Sequence, residues 1–390
     1  MVTEMERKIC IITGTRADWG LLSGIARELN VRSGVRLQII ATNMHLSPKF
    51  GNTQEEILRD GLRIDYRVPM PVENDTPAKT VAAMAECMSG MSAALDALRP
   101  DLIVILGDRY EMLMAASAAL IFHIPVAHIA GGAVSFGAFD ESIRHAITKM
   151  SHLHFTETEE YRHRVIQLGE QPERVFNVGA IGIYNIRHLQ PIAREDLEAD
   201  LHTCIPPESL FVTFHPATLD TEPPATQCRN LVAALDRLNG YKVFFSYPNS
   251  DTHGIEIIEI IEEAARRNPG KYAVFPSLGQ RRYLSMLRCV AAVVGNSSSG
   301  IVEVPSMGIP TLNIGIRQLG RTAARSVVNC GTSVQEISRG LAQVLSPDFR
   351  KMARTVANPY EQHDTLQRIV DTICTEPLDS ITIKRFYDLP

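Results

Sequence analysis

Short apolar runs alternate with segments of helical period along nearly the whole chain, and this alternation limits the possible folds more than any other feature. KICIIT (8–13) precedes LLSGIARELN (21–30), where Leu21, Leu22, Ile25 and Leu29 recur at helical spacing. VRLQIIAT (35–42), DLIVIL (101–106), PVAHIA (125–130), LHFTET (153–158) and VFNVG (175–179) follow, separated by helix-period stretches such as 80–99, 111–123 and 140–150. Continuous apolar runs joined by amphipathic helices predict parallel strands buried on both faces. The polar stretch 189–209 breaks the rhythm. It resumes with LFVTFH (210–215), KVFFSY (242–247), YAVFP (272–276), VAAVVG (290–295) and TLNIG (311–315), with helices over 225–239, 254–268 and 280–289. The chain has 390 residues, enough for two domains. An α/β protein is therefore expected, with two doubly wound Rossmann-like domains, 1–188 and 189–364, facing each other across a cleft.

Composition removes several function classes. Net charge is -5 with no basic block, which argues against nucleic-acid and membrane-surface partners. No apolar run is long enough to span a bilayer, and MVTEMERKIC lacks the apolar core of a signal peptide. The seven cysteines are scattered singly, as expected for reduced thiols in a cytoplasm. Neither G-x-G-x-x-G nor G-x-x-x-x-G-K-[ST] follows a strand, and the histidines form no ligand cluster, so no bound cofactor and no metal are expected.

In open parallel sheets ligands bind beyond the carboxyl ends of the strands. The strands deliver Gly14, Arg16 and Asp18; Asp108 and Arg109; and His128, Gly131 and Gly132 there. From the second half come His215, Asn249 with Asp251, the stretch GNSSSG (295–300), and Arg317 with Arg321. In GNSSSG, the turn at Gly295 leads toward a helix start and aims backbone N–H groups at one point, with Ser297 and Ser298 adding hydroxyl donors. Such a turn suits a phosphate. Glu303 can accept two hydrogen bonds from a ribose diol, so phosphate and ribose together suggest a nucleotide. Arg16, Arg109 and Arg317 offer planar donors for the rest of a diphosphate. A glycine-rich loop leads into the helix from Asp140, which puts Asp140, Glu141 and Arg144 at the cleft.

TGTRADWGLL, NMHLSPKFGNT, LGDRYE, HIAGG, FDESIRHAITKMSHLHF, FHP, YPNSD, GNSSSGIVEVPSMGIPTLNIGIRQLGR and NPY occur in this order over nearly the whole chain. Together they resemble the hydrolysing UDP-N-acetylglucosamine 2-epimerase family, which supplies N-acetylmannosamine or a related sugar for sialic-acid-type nonulosonates. The resemblance implies a glycosyltransferase-B-type fold whose last segment, 365–390, crosses back to the first domain. It also implies a UDP-sugar substrate and a homo-oligomer, dimer or tetramer, formed through the apolar helix over 80–98. By the same resemblance Arg16, Arg109, Ser297, Ser298, Glu303 and Arg317 hold UDP, with Asn249 and His215 near the nucleotide and the sugar. His45, Asp108, Asp140, Glu141 and Arg144 line the sugar pocket.

The implied reaction is elimination of UDP to a 2-acetamidoglycal, then addition of water with inversion at C2. Asp108, Asp140, Glu141 and His215 are expected to be the acid/base set. Relatives commonly carry an acidic or histidine side chain at the position of Ala130 and an acidic one at Ala133. Those alanines, with Phe136, suggest a pocket reshaped for a less polar sugar such as a 2,4-diacetamido-trideoxyhexose, as an alternative to N-acetylglucosamine. A glycosyltransferase with the same architecture is the other alternative.

Overall fold

The computed structural model describes residues 6–71, 76–217, 219–249 and 253–390. The first sheet contains β1 (Arg7–Thr13), β2 (Val35–Thr42), β3 (Tyr66–Val68), β4 (Leu102–Leu106), β5 (Val126–Ile129), β6 (Leu153–Thr156) and β7 (Val175–Asn177), in the order β3-β2-β1-β4-β5-β6-β7. The second contains β8 (Ser209–Thr213), β9 (Lys242–Ser246), β10 (Tyr272–Phe275), β11 (Ala292–Gly295), β12 (Thr311–Ile314) and β13 (Val327–Cys330), in the order β10-β9-β8-β11-β12-β13. Every pairing is parallel. The chain is thus the doubly wound α/β protein its sequence predicts.

Each sheet reverses its winding once, between β1 and β4 and between β8 and β11. Loops leaving the two central strands diverge there and open a crevice at the carboxyl ends. That placement brings the residues after β1, β4, β8 and β11 to one cleft.

The structure departs from the sequence reading in three places. Edge strands β3 and β13 were not expected; each is short and partly exposed, so neither shows a continuous apolar run. The first helix, read from Leu21, extends back into GTRADWG (14–20). The helix Arg16–Val31 starts inside it, with Thr15 as N-cap and Asp18 closing a capping box. The helix Pro77–Leu98, whose hydropathy comes largely from alanine and methionine, has the length and mean hydropathy (1.2) of a membrane span, although no apolar run is that long. One side of it, Ala83, Cys87, Met91, Ala94 and Leu95, is buried in the core with Ala115 and Ala119 of the helix Tyr110–Ile121.

The helix Thr365–Thr375 belongs to the core of the first sheet. Leu366, Ile369, Val370 and Ile373 pack with Ile9, Ile11, Leu22 and Ile25, each burial contributing about 1.5–3 kcal/mol. Arg7 fastens it by donating to the Ile373 and Glu376 carbonyls at 2.9 and 3.0 Å. Beyond it the chain runs to Lys384, which pairs with the buried Glu170 at 2.7 Å, and Tyr387 donates its amide to the Gly169 carbonyl at 2.9 Å. Glu170 also takes Lys149 at 2.6 Å and His154 Nε2 at 3.0 Å. Burial pushes Glu170 up, but the His154 hydrogen bond and the two lysines outweigh it and bring the carboxyl to about 2.

Candidate active site

A cavity of about 300 Å³ lies between the two halves, lined by strand-end residues of both sheets, at the lower end of the range for small-molecule sites. From the first sheet Arg16, Asp18, Asp108, Arg109 and Asp140 reach it. From the second come His215, Asn249, Ser297, Ser298, Glu303 and Arg317. Asp251 lies outside the described residues.

One end of the cleft is rich in donors. Gly295 ends β11 at φ 131°, and a Cβ there would lie 2.0 Å from the Thr213 carbonyl oxygen of β8. Only glycine allows so close an approach. The helix that follows is a single turn, Ser299–Val302, running into a 3-10 turn over Val304–Met307. The expected helix dipole is therefore too short to matter. Local donors supply the anion site instead. Among the described residues the Ser297 and Ser298 amides find no acceptor. Arg317 donates NH1 to the Asn296 carbonyl at 3.2 Å, while its buried Nε has no partner among the described residues. A buried donor left over in a cleft is a vacancy for an acceptor group.

His215 sits among the arginines. Asn296 clamps its backbone, accepting its amide at 2.6 Å and donating to its carbonyl at 2.8 Å. The Asn249 amide donates to His215 Nδ1 at 3.1 Å, so the ring proton is on Nε2. Burial, then Arg317, Arg109 and Arg16, hold the imidazole well below its ordinary range. It is neutral and has a donor to offer, which fits a bond to a phosphate oxygen better than the acid/base role expected from the sequence.

The other arginines have protein partners too. Arg109 Nε donates to the buried Glu111 at 2.9 Å. Arg16 crosses the cleft and donates to the Pro276 and Tyr247 carbonyls of the second half. Burial lowers it to about 10, with Glu56 opposing. Asp18 accepts the Gly14 and Thr15 amides at 3.3 and 3.0 Å. Burial, with Glu111 adding, raises it to about 7. Its main work is capping. Glu303 lies against Gly182, where an added Cβ would meet its Oε1 at 2.0 Å, and burial raises it.

At the other end Arg144 organises the carboxylates. It is fully buried, donates Nε to Asp108 at 2.9 Å, and donates NH1 to Glu141 at 2.7 Å and to the Ala133 carbonyl at 2.8 Å. Its NH2 donates to Ser135 Oγ at 2.6 Å. Burial raises Asp108, but Arg144, Arg321 and Arg317 outweigh it and hold the carboxyl below the usual range. Burial likewise raises Glu141 and is outweighed by the Ser135 amide, Arg144 and His145. Both are ionised at neutral pH. Glu141 and Arg144 themselves lie behind the lining, as the support that orients Asp108. His128, collected at a strand end from the sequence but given no role there, bonds through Nε2 to the Gly107 carbonyl at 2.7 Å and so braces the loop carrying Asp108.

Besides those of Glu141 and Arg144 in the pocket lining, two further expected placements fail. His45 does not line the cleft. It is completely buried between Thr13 and Thr53, each 2.9 Å away, and burial lowers it to about 4. Phe136 is exposed and stacks over Gly320, so it does not shape the pocket. Ala130 and Ala133 do line it. Arg321 and Glu157 also line it but were not singled out as binding residues. Glu157 was recoverable, since it stands at the carboxyl end of β6 and the strand-end rule applies to it.

A family model described as UDP-N-acetylglucosamine 2-epimerase matches residues 27–374. The chain belongs to the UDP-N-acetylglucosamine 2-epimerase family. This epimerase is 38% identical over 385 residues, 98% of its chain and all of the relative, to the hydrolysing GDP/UDP-N,N'-diacetylbacillosamine 2-epimerase of Campylobacter jejuni. It is 33% identical to polysialic acid biosynthesis protein P7 of Escherichia coli, over 98% of both chains. The Neisseria meningitidis UDP-GlcNAc 2-epimerase structure bound to UDP-GlcNAc superposes with a TM-score of 0.76 at 15% identity, covering 94% of this chain and 99% of that one. The fold is thus the glycosyltransferase-B-like one of the family. The epimerase is a hydrolysing enzyme acting on a nucleotide-linked acetamido sugar.

Proposed function

We propose that the substrate is a UDP-linked 2,4-diacetamido-2,4,6-trideoxyhexose, converted with water to UDP and the free sugar inverted at C2. The observation that carries the choice of sugar is the trio Ala130, Ala133 and Ala138, which contributes only methyl groups to the lining that also holds Asp108 and Asp140. Such a surface leaves sugar hydroxyls without partners and suits acetamido and methyl substituents. The C. jejuni relative acts on a sugar of this kind by its name. UDP-N-acetylglucosamine is the second reading, favoured by the carboxylates of the same lining, which can accept from hydroxyls.

In this reading the Ser297 and Ser298 donors, Arg317, Arg16, Arg109 and the Nε2–H of His215 bind the diphosphate, and Glu303 accepts from the ribose. As the C1–O bond breaks, UDP takes the bonding electrons. The donors already in place stabilise that charge, usually the largest single catalytic contribution. An ionised carboxylate at the Asp108–Asp140 end takes the C2 proton, worth roughly 10²–10⁴-fold. The C1=C2 glycal then adds water, oxygen to C1 and a proton to the other face of C2.

NMR in D₂O with each nucleotide sugar tests this. Free UDP, a C2-inverted sugar and deuterium at C2 are expected, with kcat/KM roughly tenfold or more in favour of the diacetamido sugar. Brisk turnover of UDP-N-acetylglucosamine with none of the diacetamido sugar would refute the choice of substrate. Turnover that requires a sugar acceptor would refute the reaction class.

A further inference from the structure

Glu157 follows β6 directly and lines the cleft. β6 lies beside β5, with Phe155 opposite Ile129 and the Ala130 amide donating to the Phe155 carbonyl at 2.8 Å. Glu157 therefore emerges next to the turn that carries Ala130 and Ala133. Ala130 adopts φ 66°, a left-handed conformation uncommon for alanine. Neither alanine can hold a proton. Glu157 is the titratable side chain at this corner, and it is only partly exposed.

Its surroundings differ from those of the neighbouring carboxylates. Asp108 and Glu141 are each ion-paired to Arg144. Among the described residues no donor or cation lies within bonding distance of the Glu157 carboxylate. The groups facing it are Asp108 after β4, Arg144 from the helix Asp140–Met150, Glu303 and Arg321 across the cleft, and Tyr360. Burial, with Glu303 and Asp108 adding, raises its carboxyl to about 7 against the pull of Arg321 and Arg144. Beside Ala130 and Ala133 the cleft thus holds a paired, ionised carboxylate, Asp108, and an unpaired one, Glu157, that retains its proton near neutrality. Divergent environments of this kind separate acid from base.

We propose that Glu157 is the catalytic acid of the hydration step, giving its proton to C2 of the enzyme-bound 2-acetamidoglycal. The inference rests on the elimination–hydration reading above. The new C2–H bond forms from the electrons of the C1=C2 double bond. Water oxygen bonds to C1 and loses a proton to ionised Asp108. Three transfers have then occurred: Asp140, the other carboxylate at that end and the base this sequence of steps requires for elimination, gained the old C2 proton, Asp108 gained one from water, and Glu157 gave one up. Returning all three to their starting states releases one proton to solvent, as hydrolysis of a nucleotide sugar to free UDP requires.

Glu157→Gln tests the role, because it keeps shape and removes the acid. In single turnover with the UDP-2,4-diacetamido-2,4,6-trideoxyhexose and with UDP-N-acetylglucosamine, the variant should release UDP within about threefold of the unaltered rate. It should accumulate the 2-acetamidoglycal and form the hydrated sugar at least about 100-fold more slowly. Hydration of added glycal in the presence of UDP should decline above about pH 7 in the unaltered enzyme, and that limb should be absent from the variant. Glu157→Asp should recover part of the hydration rate. UDP affinity by calorimetry should be unchanged in both variants, which also verifies that they are folded. Normal hydration by Glu157→Gln overturns the proposal alone, and so does loss of UDP release together with hydration. Failure of the unaltered enzyme to release UDP from either sugar overturns the functional reading, and this role with it.

Discussion

Replacing Arg144 by methionine should damage both the stability of the first half and the chemistry. The guanidinium is buried with 1% of its side chain exposed, whereas Asp108 and Glu141 each keep 22% of theirs exposed. Removing one partner of a buried ion pair costs about 3–5 kcal/mol. Residual hydration of both carboxylates puts this case at the lower end, about 3 kcal/mol. Arg144→Lys keeps the charge but cannot bridge Asp108, Glu141, Ala133 and Ser135 together, so an intermediate loss is expected. Asp108 would rise without its strongest cation and keep only Arg321 and Arg317. A base must be ionised to act, so the acid limb of kcat should move to higher pH, and kcat at neutral pH should fall about 100-fold. The stability loss has a definite pH dependence. A depressed Asp stabilises the fold above its unfolded pKa, and the effect fades as pH falls through the folded value. The deficit should therefore be largest near pH 7 and vanish in acid. The chain has one tryptophan, Trp19, buried in the first half and donating to Asp60 at 2.9 Å. Its fluorescence during urea unfolding reads the relevant half selectively. A midpoint shift worth less than about 0.5 kcal/mol, with kcat within threefold, would refute the assignment of Arg144 as organiser of the carboxylates.

Replacing Ser297 and Ser298 together by alanine should weaken UDP binding by about tenfold per hydroxyl, the usual worth of a hydrogen bond to a charged group; unchanged calorimetric affinity contradicts the phosphate site. Long-range ¹H–¹⁵N spectra of His215 should show a neutral ring protonated at Nε2 throughout pH 6–8, and titration near its ordinary value contradicts the tautomer inferred from the Asn249 amide. Glu170→Gln should cost about 2–3 kcal/mol at neutral pH. Glu170 is depressed to about 2, so its contribution is complete above the unfolded carboxyl value and lost as pH falls toward 2, and urea midpoints of the two proteins should converge over that interval.

Both sheets could be read from the sequence because buried parallel strands appear as unbroken apolar runs. The strand-end rule then collected Asp108, His215, Ser297 and Arg317 without knowledge of the winding. What escaped depends on distant partners. β3 and β13 are strands only because β2 and β12 lie beside them. His45 has a motif's local sequence, but Thr13 and Thr53 close over it from separate elements. Arg16 reaches carbonyls some 230–260 positions away. The protonation of His215 is decided by a backbone amide of Asn249, which no local pattern announces. Glu157 was hidden by a boundary: with LHFTET taken as strand throughout, it read as part of the sheet, whereas β6 stops at Thr156.

The core on this face of the first sheet, roofed in part by the helix Arg16–Val31, is completed only when the helix Thr365–Thr375 arrives, since Leu366, Ile369, Val370 and Ile373 join the cluster of Ile9 and Leu22. During synthesis the strands up to Val175–Asn177 leave the ribosome with that part of the core still open, while the second sheet emerges and can close on itself. A stop codon that removes the last two dozen residues would strand the opening half of the polypeptide as a sticky nascent intermediate, a ready substrate for chaperones. The half translated first is finished last.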